Sequence, residues 1–166
     1  MVALIVLAIV KMGRFGGVSV YNTLSYLIIV GLCFAFISEG VFEITLGSVF
    51  MFLAGLVLMN VMQAHIYKAV KTEFDLGKTV ESSVKGGYKK TLWGVVDIYA
   101  VALLGALSLL IGAAGLATLA WQAVICIVAA AVCNLLWARA ISFTLLSASK
   151  NKYKYFRFVR EDDDDE

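Results

Sequence analysis

The chain of 166 residues contains no proline. The kinks that proline imposes on helices, and the broken helices from which many transporters build a substrate site, therefore lack their usual source. Histidine occurs once, at His65, and cysteine three times, at Cys33, Cys126 and Cys133. Each cysteine lies inside an apolar run without the close Cys or His spacing of a zinc site, so all three read as small buried hydrophobes and no metal is expected. His65 falls at the polar end of its helix and reads as an interfacial residue. The sequence has no glycine-rich phosphate loop with its lysine, no HExxH and no nucleophile–base pair. It does not read as an enzyme, and no cofactor is expected. Only 16% of residues are charged, for a net charge of +2, and those charges sit in separate short segments, so nucleic acid is not an expected partner.

What is abundant is apolar sequence. Hydrophobic residues make up 61% of the chain and the mean hydropathy is +0.90, against about 45–50% apolar residues for a soluble domain. Apolar runs of about 20 residues cover a bilayer. Lipid offers no partner for backbone N–H and C=O groups, so such runs must be helices. The spacing predicts spans over about 18–38, 44–64, 92–111 and 116–138. The short run Val2 to Val10 reads as the inner half of a further helix, over about 2–12, rather than as a signal peptide, for it has no basic leader and no cleavage site ahead of a soluble domain. The expected fold is an all-α bundle of about five transmembrane helices over residues 1–148. Residues 149–166 then form a charged tail, basic and aromatic first and acidic from Glu161 to Glu166.

Orientation follows from loop charge. Two Lys/Arg lie at 11–17, six at 68–90 and five from Lys150 to Arg160, whereas the turns at 38–43 and 112–118 carry none. The positive-inside rule puts the three basic segments in the cytoplasm and makes the C-terminus cytoplasmic after five crossings.

The connector at 68–91 carries most of the polar sequence between the spans. It reads as a basic helix on anionic lipid headgroups, and it runs directly into a span that holds an acid, Asp97. An ionisable group at that depth costs about 2.5–3.5 kcal/mol or more and marks a partner or a water-filled cavity. Asp97 is therefore the leading candidate for a proton pathway, with the null alternative that it snorkels or bonds to Asn60, Gln63 or Tyr99. Asn60 and Gln63, in the last polar turns of the preceding span, are further candidates. So is Arg139, at the end of the last span, which otherwise reads as a snorkelling anchor. Gly47, Ala54 and Gly55 would permit close helix approach.

Three elements of the connector, Gly77-Lys78-Thr79, Gly87-Tyr88-Lys89 and the run Leu92 to Asp97, resemble the SecD/SecF family of protein-export accessory membrane proteins at the family's spacing. Ala138-Arg139 is similar to the family's Thr-Arg. The resemblance covers about residues 44–146. It implies a membrane part like helices two to six of SecD, in the resistance-nodulation-division superfamily and in a bacterial cytoplasmic membrane. It further implies a SecF-like half and the Sec channel as partners, exported polypeptide as substrate, and use of the proton gradient. The family's Asp-Ala-Asn of the preceding helix falls here on Val61-Met62-Gln63, so its acid is absent. That departure makes a diverged, non-coupling scaffold subunit the alternative. The predicted orientation is directly measurable: a thiol probe placed by Thr79→Cys should react with a membrane-impermeant label from the cytoplasmic side only, and labelling from outside would reverse the topology.

Overall fold

The computed structural model describes residues 15–37, 45–112 and 116–148. The expected half-span at 2–12, the acidic turn around Glu39 and Glu43, and the tail at 149–166 lie outside the described residues. Within them the chain is helical, and no strand occurs among the described residues. Helix α1 is Phe15–Ile37, α2 Leu46–Asp75, α3 Val80–Gly112 and α4 Ala117–Val132; a π-helical turn, Cys133–Trp137, then leads into α5, Ala138–Ala148. Four stretches are long and apolar enough to cross a membrane: Gly17–Ala35, Leu46–Asp75, Val80–Ile111 and Ala117–Thr144.

The burial pattern is that of a protein in lipid. Ser19, Asn22, Thr23, Gln63, Gln122, Asn134 and Ser142 are buried, while Leu24, Ile28, Leu53, Val101, Leu104 and Trp121 are exposed. Apolar side chains outward and uncharged polar ones inward suit a hydrocarbon surround, where polar groups bond across helices. In α1 the buried residues Val18, Asn22, Tyr26 and Val30 recur every fourth position, with Ser19 and Thr23 beside them, which makes one stripe of the helix. In α4 the buried residues are Ala120, Gln122, Ala123, Cys126, Ala129 and Ala130. Small side chains there let α1, α2 and α3 all reach α4 closely.

The two middle helices outrun their apolar sequence. At 30 and 33 residues and about 1.5 Å per residue, α2 and α3 exceed a hydrocarbon core of about 30 Å. Residues 68–91 are therefore not a separate surface helix. They are the charged ends of α2 and α3, joined by the turn Leu76–Thr79 into a helical hairpin that extends beyond the membrane-spanning part. Hydropathy marks the edge of the bilayer, whereas these helices end where caps are made.

Gly77, Lys78, Thr79 and Gly87 of the connector motifs each have a geometric task in that hairpin. Gly77 has φ of 87°, a left-handed conformation that favours glycine, and its N–H bonds the Phe74 carbonyl at 2.9 Å. Thr79 caps α3, its hydroxyl accepting from the Ser82 N–H at 3.4 Å and its carbonyl from the Ser83 N–H at 2.8 Å. Lys78 pairs with Glu73, which also meets Lys90 at 3.6 Å. Glu73 stands beyond the apolar part of α2, and the hydrogen bond from Lys78, reinforced by the charge of Lys90, holds its carboxyl below the usual range. At Gly87 the helices nearly touch: a Cβ there would lie 2.8 Å from both N and Cα of Val70.

Gly55 also works inside the bundle, where a Cβ would meet the Tyr26 hydroxyl at 2.3 Å and Cys126 Cβ at 3.2 Å. At Gly47 the neighbour is the Leu119 side chain. These glycines serve the chain's own helix contacts, the close approach that small residues permit. By contrast, Gly94 and Gly105 of α3 face open space. Gly87→Ala should destabilise the fold by about 1–3 kcal/mol through overpacking, whereas Gly94→Ala should be neutral or slightly stabilising. Unfolding of both variants in mixed micelles measures the difference.

Candidate functional site: an internal polar seam and an outward acid

The four sequence-predicted site residues do not converge. Asn60 faces α1, where it accepts a hydrogen bond from the Ser19 hydroxyl at 3.1 Å and donates to the Leu56 carbonyl one turn back at 2.9 Å. Gln63, one turn further on, is 1% exposed, and neither of its amide atoms has a partner in hydrogen-bonding geometry. The Tyr88 hydroxyl is its polar neighbour. Asp97 is exposed on the outer side of α3, with no hydrogen bond or ion pair to it among the described residues. Arg139 is also exposed and lies over the Phe143 ring at 5.9 Å from its centroid, in a cleft shared with Lys85 and Lys89.

Between these points runs a polar seam centred on a residue that the sequence reasoning missed, Asn134. Its Oδ1 accepts from Asn22 Nδ2 at 2.6 Å. Its Nδ2 donates to the Met59 carbonyl at 2.9 Å and to the Tyr99 hydroxyl at 2.7 Å. One fully buried side chain on the π-turn thus ties α1, α2 and α3 together. Tyr99, which sequence spacing offered as a partner for Asp97, is turned inward to this amide instead.

Nearer the charged end, the Ser142 hydroxyl donates to the Ala138 carbonyl at 2.7 Å. Its single proton is thereby used, which makes Tyr88 the donor in their 3.1 Å contact. This joins the connector motif to α5. The seam is neutral throughout. It can order water or orient a group, but it contains no acid or base that titrates near neutral pH.

Asp97 belongs to a different surface. Trp93, Val101 and Leu104 share its side of α3 and are 72%, 69% and 65% exposed; with Gly94 and Gly105, they form a face that no other described helix covers. The sequence signal for Asn134 and Asn22 was present in both cases as a lone amide inside an apolar helix, which lipid penalises unless it is bonded.

Replacing Asn134 with leucine should remove all three bonds and strand the Asn22 amide and the Tyr99 hydroxyl, for a loss of about 1–3 kcal/mol. Asn22→Leu should lose less, since Asn22 Oδ1 is already without a partner. Thermal melting in detergent, followed by tryptophan fluorescence, compares the two. Comparisons with family models, with curated proteins and with solved structures find no match for this chain.

Proposed function

We propose that this chain is a SecD-like subunit of a bacterial protein-export apparatus, packing beside a SecF-like half and the Sec channel and assisting polypeptide translocation with the proton gradient. The observation that carries the reading is the placement of Asp97. It stands in an apolar run, on a side of α3 that the described residues leave bare, with no partner among them. An acid facing hydrocarbon alone is penalised by about 2.5–3.5 kcal/mol or more. A second polypeptide that brings a donor, a cation or a water path to that face relieves the penalty. Such an arrangement places the ionisable group between two subunits, where its protonation can bias how they pack. The connector elements Gly77-Lys78-Thr79 and Gly87-Tyr88 support the same reading through their resemblance to SecD and SecF.

A second reading is favoured by Gln63. It takes the place of the last residue of the family's Asp-Ala-Asn, the seam around it is neutral, and the acid of that motif is replaced by Val61. On this reading the chain is a scaffold that docks partners through the Asp97 face without coupling to protons. Mild-detergent affinity purification of the native protein should bring down Sec channel components, and their absence would defeat the export reading. In cells, Asp97→Asn should slow maturation of exported precursors to the rate seen with an uncoupler. Unchanged maturation at normal protein levels would remove the proton role and leave the scaffold.

A further inference from the structure

The groove between α3 and the rod formed by α4 and α5 changes character along its length. At the charged end it is a cleft of ≈ 340 Å³ lined by Lys85, Tyr88, Lys89, Leu92, Arg139 and Phe143. Further into the apolar part it becomes a trough of ≈ 440 Å³, with Val96, Ala100 and Leu103 on one wall and Val128, Val132 and Leu136 on the other. The two are successive stretches of one seam on α3.

Lys85 is engaged by Glu81 at 3.1 Å. Lys89 and Arg139 have no carboxylate partner among the described residues, and they flank a cleft whose remaining walls are aromatic and aliphatic. Two unneutralised cations at the head of an apolar trough match one chemistry: an anionic headgroup carrying an acyl chain. The length agrees. From Leu92 to Leu103 the helix rises about 16 Å, close to one leaflet of a hydrocarbon core of about 30 Å. Basic pockets between helices on the cytoplasmic side are suited to anionic phospholipid headgroups. The positive-inside orientation places this cleft in that leaflet.

We propose that the cleft is a binding site for one anionic phospholipid. Lys89 and Arg139 hold the phosphate, Tyr88 and Phe143 wall the glycerol region, and an acyl chain lies in the trough. The site is separate from the Asp97 face, because Asp97 follows Val96 by one residue and so points about 100° away round the helix. It is also independent of the export reading, since it needs only these residues and a bilayer.

The test is native mass spectrometry of the full chain in detergent, titrated with phosphatidylglycerol or phosphatidylcholine. The wild type should retain one phosphatidylglycerol in preference to phosphatidylcholine. The double variant K89Q/R139Q should weaken phosphatidylglycerol roughly thirtyfold, at about 1 kcal/mol for each cation near the surface. The variant K68Q/K71Q, with the same change in net charge on the far helix, should bind as the wild type does. Ala100→Trp, which fills the trough and leaves both cations, should also lose the lipid. Equal retention of the two lipids, or an unchanged affinity in K89Q/R139Q, would overturn the proposal. So would displacement of the lipid by millimolar inorganic phosphate, which would mark an anion site with no role for the chain.

Discussion

Inside a bilayer the hydrophobic effect does not choose between one helix face and another, because lipid tails are as apolar as leucine. What fixes the helices of this bundle against each other is close packing and hydrogen bonding, and three of those bonds converge on one amide. Asn134 uses its acceptor for Asn22 and both of its protons for Met59 and Tyr99. Each bond reaches a different helix, so sliding or rotating any of the three breaks one of them. A single π-turn is the local irregularity at this point, and such bulges occur frequently where a side chain must be aimed out of regular register. The small residues of α4 are the other half of the arrangement. They bring the backbones close enough for one asparagine to span them.

The helical hairpin shows a second use of close approach. Glycine at 87 lets α3 cross α2 with almost no side-chain layer between them, and the crossing brings Lys78 and Lys90 to Glu73. Residues of the connector motifs therefore also build the turn. Gly77 supplies its left-handed φ, Thr79 its cap and Tyr88 its anchor on Ser142. A residue employed in shaping a turn leaves little of its chemistry for another task, so function falls to residues that the fold leaves unused.

Legibility in the sequence follows the same division. The four described spans were readable because hydrocarbon demands long apolar runs; the turn at Gly77-Lys78-Thr79 was not, because 68–91 reads as one basic helix. The continuation of α2 to Asp75 and the start of α3 at Val80 were not, since charged residues sustain helices outside the membrane as well as apolar ones do inside. Which way Asp97, Asn60 and Gln63 face was also hidden. A helix apolar on every side has almost no amphipathic signal to orient it, and only packing against α1 and α4 decides. The neighbours of Gly55 were hidden for the same reason, since spacing reveals that a glycine permits contact but not with whom.

The placement of charge then separates two kinds of work. The interior seam of Ser19, Asn22, Asn60, Tyr99 and Asn134 is made of groups whose charge does not change across the physiological range, so the bundle keeps one shape whatever the local pH. Asp97 on the exposed face of α3, and Lys89 and Arg139 at the cleft, lie outside that seam. A fold arranged in this way cannot transmit a protonation event through its own core. In the proposed reading the event acts instead across a subunit boundary, by changing whether Asp97 repels or accepts what is packed against it. This is why the identity of the neighbour on α3, rather than any feature of the isolated bundle, decides between a coupled export subunit and a scaffold.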